Sequence, residues 1–153
     1  MSQKTLGALT KGIADELRRL TSGNTTWRVY HDHGGGSQRL WAHGGDRAHT
    51  SSNLGGVDVL LGDAESGEAV LVLEIEESAC PPKRLLGDVC ALALCDCVTA
   101  SGDGRRYALT PRTELWVCYP ANPAGHQRER NVCALGRLRE SWRGSFPIGV
   151  RLV

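Results

Sequence analysis

The chain has 153 residues, of which 41% are hydrophobic and 23% charged, a composition that fits one globular domain and excludes a disordered chain. No apolar run reaches the roughly 18 residues of a membrane helix, and Met1-Ser2-Gln3-Lys4 opens no signal-peptide core, so the expectation is a cytoplasmic protein whose six cysteines stay reduced. The formal charge of +1 conceals a division, because residues 1–104 hold nine basic against fourteen acidic side chains and residues 105–153 hold nine against three.

Leu6, Leu9, Ile13, Leu17 and Leu20 recur every three or four residues and predict a helix over 4–21. Thr26-Trp27-Arg28-Val29-Tyr30 reads as a strand. From His31 to Gly56 the chain is rich in Gly, Ser, His and Arg without apolar periodicity, which predicts a long loop over 33–56. Val57–Leu61 and Val70–Ile75 flank the turn-rich stretch Gly62 to Glu68 and predict a β-hairpin about Glu65 and Ser66. Pro81-Pro82 opens a predicted helix that carries Leu85, Leu86, Val89, Cys90, Ala93, Leu94, Cys97 and Val98, and Ser101 to Gly104 closes it. A buried strand follows over Glu114–Tyr119, then a helix after Asn122-Pro123 and a last edge strand at Val150–Val153. The expected order is α-β-β-β-α-β followed by α-β, in one domain over 1–153 with a core at 4–119 and a basic extension at 120–153.

The residues least suited to their surroundings are acidic. Asp58 stands inside Gly56-Val57-Asp58-Val59-Leu60-Leu61, where a carboxylate costs several kcal/mol unless it is paired, hydrogen-bonded or bound to a metal. Glu74 and Glu76 end the second apolar run on one strand face, while Leu71, Leu73 and Ile75 take the other. Closing the hairpin brings Asp58 opposite Leu73 or Glu74, where opposed Cβ atoms lie about 4.5–5.5 Å apart. Three converging carboxylates repel unless a cation neutralises them, and an oxygen-only set suits Mg²⁺ or Mn²⁺ rather than zinc.

An Asp, a hairpin, then Glu74-x-Glu76 and a following helix resemble the PD-(D/E)XK nuclease superfamily, over about residues 4–119. The resemblance implies an α/β restriction-endonuclease-like fold: an αβββαβ core whose mixed central sheet is flanked by helices, here with a C-terminal helix and strand added. It implies that Asp58 takes the place of the motif Asp and Glu74 that of its Asp/Glu, with the Ile75 carbonyl as a further metal ligand. Glu76 stands where most members have Lys, as in some active type II restriction enzymes, and would hold a second metal or orient the attacking water. Glu16, at the edge of the first helix's apolar stripe, matches an accessory metal ligand, and Lys83 matches the displaced catalytic lysine of some relatives. The activity implied is Mg²⁺-dependent hydrolysis of DNA phosphodiesters in restriction or phage defence, with Mn²⁺ as a substitute and a homodimer as the working form.

Fifteen of the 18 basic residues are arginine, whose planar fork suits phosphates and base edges. Arg39, Trp41 and Arg47 in the predicted loop, Arg84, and Arg128, Arg130, Arg137 and Arg139 in the extension are the expected DNA contacts. Cys90, Cys95 and Cys97 lack a CxxC spacing and read as small residues of a buried helix. Two other readings remain open at this point. One is a DNA-binding or structural member of the fold without catalysis, given the missing lysine. The other is a histidine-rich metal enzyme of a different class, built on His31, His33 and His43.

Overall fold

The computed structural model describes residues 7–32, 39–45, 52–76, 82–118, 129–130, 133, 137 and 150–152. Helix α1 spans Ala8–Leu20. Its small residues Thr10 and Ala14 are buried, and Ile13 and Leu17 flank them against Val29, Val59, Leu71, Leu73 and Ile75. Leu9 and Leu20, which the periodicity assigned to the same stripe, stay exposed. The helix therefore approaches the sheet along a narrow line through Thr10, Ile13, Ala14 and Leu17, without Leu9 and Leu20.

The strands are β1 (Trp27–His31), β2 (Leu40–His43), β3 (Asn53–Val57), β4 (Val59–Asp63) and β5 (Glu68–Ile75), then, after helix α2 (Pro82–Ala93), β6 (Cys97–Ala100), β7 (Arg106–Ala108), β8 (Glu114–Cys118) and β9 (Val150–Leu152). They form one mixed sheet in the order β1-β4-β5-β7-β6-β2-β3, with β8 on β5 and β9 on β8. Neighbours β1, β4 and β5 run antiparallel, whereas β5, β8 and β9 run parallel. The fold is α/β. No helix among the described residues is long and apolar enough to cross a membrane.

The hairpin forms as its turn chemistry predicts. Asp63 accepts the Glu65 amide on its side chain at 3.0 Å, and Gly67 takes φ +72°, a left-handed conformation that favours glycine. Val59 pairs with Leu73 and Leu60 with Val72. Leu71, Leu73 and Ile75 face α1, while Val72 joins Leu60, Leu115, Val117, Val89 and Leu92 in the larger core on the α2 side. Each large apolar side chain fully buried there contributes about 1.5–3 kcal/mol.

Two expectations are corrected. The segment read as a loop contains β2 and β3, which pair with each other and, through β2, with β6. Their signal is weak in the sequence because β3 is Asn-Leu-Gly-Gly-Val and β2 has only four residues. The helix expected to run through Val98 stops at Ala93, and Cys97–Ala100 is β6. Asp96 accounts for the change of structure: its amide donates to the His43 carbonyl at 2.9 Å, its carbonyl accepts Leu109 at 2.8 Å, and its carboxylate takes the Gly45 amide. Those bonds fix an extended chain between β2 and β7. The C-terminal expectations fall mostly outside the described residues, although β9 is present and Glu129, Arg130, Cys133 and Arg137 are helical and exposed.

Candidate functional site

Asp58 is the single residue between β3 and β4, where the chain leaves one pairing partner for another. Its amide still donates to the Leu73 carbonyl at 3.1 Å, and its own carbonyl accepts Asp32 at 2.9 Å. The carboxylate accepts the Ile75 amide at 2.7 Å, so it takes over a ladder bond as the strand turns away. Because Val59 pairs with Leu73, the next position along sets Asp58 against Glu74. Ile75 thus reaches the site through its amide, with its side chain buried against α1.

Glu74 projects from the same sheet face as Val72. Burial, then the charge and hydrogen bond of Asp58, then the charges of Asp88 and Glu76 push its carboxyl up to about 10. Two carboxyl groups can hydrogen-bond to each other only if one carries a proton, so the Asp58–Glu74 pair retains one. Glu76 lies one residue beyond β5, buried, with its amide on the Cys118 carbonyl at 3.0 Å and its carboxylate 3.0 Å from Arg84 Nε. Asp88 stands one helical turn after Arg84. Its burial raises its carboxyl to about 6, with Arg84 opposing the shift and Glu76 and Asp58 adding to it. Burial, followed by the Asp58 charge, also pushes the Cys118 thiol up. Asp58, Glu74, Glu76 and Asp88 therefore share one electrostatic neighbourhood, in which Arg84 acts on Glu76 and Asp88.

Glu16 is not brought to this corner: it is exposed on α1 and forms a two-bond ion pair with Arg19, at 2.6 and 2.8 Å. It stands beside the exposed Asp15 on the outer side of α1, while Ala14 packs inward. Lys83 is exposed in the first turn of α2, and the positive charge that reaches the carboxylates is that of Arg84. Arg84, expected to contact DNA, is exposed and pairs with the buried Glu76. Arg39 lies 5.8 Å from the Trp41 ring centroid, with Trp41 on β2 rather than on a loop. Arg130 and Arg137 are exposed, and Arg47, Arg128 and Arg139 lie outside the described residues.

His31 and His43 are buried on β1 and β2, whereas His33 lies outside the described residues. Cys95 and Cys97 are buried, Cys95 in the core as expected and Cys97 on a strand instead of a helix. Asp88 was missed by sequence reasoning. Its signal was an acid set among Leu85, Leu86, Val89 and Cys90, on a helix already read as buried.

Two adjacent carboxyls offer hard oxygen donors, which fits Mg²⁺ or Mn²⁺ in kind. Among the described residues, no group of three or more His, Cys, Asp or Glu side chains converges closely enough to hold a metal. No protein-family model, curated protein or solved structure matches the chain.

Proposed function

We propose that the chain is a divalent-cation-dependent DNA endonuclease on a restriction-endonuclease-like core, working as a homodimer because one such corner serves one strand. The observation that carries this reading is the burial of Asp58 and Glu74 against each other where β4 begins and β5 ends. Such crowding of acids raises carboxyl proton affinities, and perturbed carboxyls of this kind cluster at functional sites. The element order supports it: α1-β1-β4-β5-α2-β8 follows the αβββαβ pattern, with β2–β3 and β6–β7 as additions and one helix packed on each face.

In this reading Asp58 and Glu74 hold the cation, with the Ile75 amide fixing the Asp58 carboxylate in place. When bound, the cation supplies Lewis-acid charge to a phosphodiester and acidifies water. Glu76, held beside Arg84, orients water by accepting a hydrogen bond, and Arg84 brings positive charge to the corner where relatives of the motif carry lysine. The test is cleavage of plasmid and oligonucleotide DNA with Mg²⁺, Mn²⁺, Ca²⁺ or EDTA, for wild type and Asp58→Ala. Cleavage with Mg²⁺ that is lost in Asp58→Ala is the expected result; cleavage that survives the substitution sinks the assignment.

One observation favours a second reading, a nucleic-acid-binding protein of the same architecture without catalysis. Glu76 occupies the lysine position and is already committed to Arg84. DNA binding without cleavage in any of the metals decides for this alternative.

A further inference from the structure

The face of β2, β6 and β7 that turns away from the core carries a row fixed by register. Trp41 on β2 pairs with Thr99 on β6, and Thr99 pairs with Arg106 on β7; on the other side Trp41 pairs with Gly56 of β3. Their neighbours Leu40, Ala42, Val98, Ala100 and Tyr107 all point into the core, which assigns the row to the opposite face. Helix α1 lies against β1 and β4, and α2 against β8 and β9. Arg39 and Arg106 are exposed, Trp41 is partly exposed, and Gly56 leaves no side chain beside the indole on the β3 side. Arg39 stacks over the same ring.

Two further atoms mark this face. His43, two residues along β2 from Trp41, is 7% exposed, and its Nδ1 has no hydrogen-bond partner; Thr99 Oγ1 is likewise buried without one. A buried polar atom left unpaired is unusual and asks for an explanation. Here both occur on one face, on either side of the only aromatic ring in the row. The row from Gly56 to Arg106 includes two cationic residues with Arg39 and no carboxylate.

We propose that this face binds an unpaired stretch of nucleic acid, with a base stacked on Trp41 and the backbone phosphates met by Arg39 and Arg106. An indole offers a π-surface to any base, and guanidinium groups pair with phosphate in a fork, so the combination suits a single strand better than a rigid duplex. The proposal rests on the nucleic-acid reading above and adds to it a separate site for an unpaired segment. The acidic corner lies on the other face of the sheet, so binding and cleavage are separable.

The test is fluorescence anisotropy of a labelled oligo-dT strand and of a duplex of equal length, on the full chain in EDTA, where cleavage plays no part. Single strand should bind more tightly than duplex. Trp41→Ala should weaken it roughly ten-fold or more, and Trp41→Phe should retain most of the affinity. Arg106→Ala should lower the slope of log K against log salt by about 1. Gly56→Val keeps Trp41 but puts a side chain beside the ring; its Cβ meets only the Leu40 carbonyl at an ordinary 3.6 Å, so it should fold and bind weakly. Unchanged binding in both Trp41→Ala and Gly56→Val overturns the proposal, as does a preference for duplex, or loss of self-association as the only effect of Trp41→Ala. Cleavage abolished by Asp58→Ala with binding unaffected by Trp41→Ala defeats this inference alone; Trp41-dependent binding without cleavage in any metal defeats the nuclease reading alone.

Discussion

Two buried polar clusters sit in this sheet, and they differ in what their neighbours supply. The Tyr30 hydroxyl bonds Tyr107 at 2.7 Å and Asp103 at 2.9 Å, and Arg105 stands beside Asp103 and the Tyr107 hydroxyl. Burial and these partners push the Tyr30 hydroxyl far above its ordinary range, so it stays neutral. At the acidic corner four carboxyl groups lie together, Arg84 acts on Glu76 and Asp88, and the Asp58–Glu74 pair retains a proton. The first cluster is satisfied within the protein and stiffens it. The second gathers carboxyl groups whose mutual repulsion raises the proton affinity of Glu74 and Asp88.

The sharpest way to break the contrast is Asp58→Ala, which should lower Mg²⁺-dependent cleavage at least about 100-fold, the upper end of what losing a metal site's supporting group costs. Tyr107→Phe should leave the same assay unchanged. In the other direction, Gly62→Ala should destabilise the fold by about 1–3 kcal/mol in urea unfolding, because a β-carbon at Gly62 would intrude on the Tyr107 ring. Tyr107→Phe should cost about 1 kcal/mol through its lost hydrogen bond to Tyr30.

The pH dependence separates the clusters further. Glu74 binds its proton more tightly folded than unfolded, so its contribution to stability is complete below its ordinary value and is lost as pH rises toward about 10. Asp88 adds a smaller loss completed near pH 6. Unfolding in EDTA should therefore show stability falling from pH 5 through 9, and Glu74→Gln should flatten that decline; a decline of equal slope in the variant would assign it elsewhere. The smallest effect is expected for Arg84→Gln, about 1 kcal/mol, since Arg84 is 63% exposed and screened by water even though Glu76 is buried.

Much of the corner was legible in the sequence, for reasons that are local. Asp58 in an apolar run and Glu74 two residues before Glu76 are anomalies of composition and period, and the turn from Asp63 to Gly67 fixes how the two runs meet. The helical periodicity of residues 6–20 located α1, but the leucines overstated its buried face, since Thr10 and Ala14 make the close approach. Lys83 and Arg84 are neighbours in sequence, and no local rule distinguishes which of them turns toward Glu76. Glu16 was misplaced for a related reason: the edge of an apolar stripe leaves a side chain free to find a partner on its own helix, and Arg19 is three residues away.

The sequence by itself determined the α/β composition, the hairpin and the shared face of Glu74 and Glu76, because backbone period and turn chemistry act between residues close along the chain. The tertiary structure alone decided that the glycine-rich segment supplies β2 and β3, that Cys97–Ala100 is a strand, and that Trp41, Thr99 and Arg106 form one row. It also decided that Asp88 joins Asp58 at one corner. Strand pairing and charge neighbourhood are set by partners distant in sequence, and a four-residue strand has no stable structure until the adjacent strand offers its hydrogen bonds.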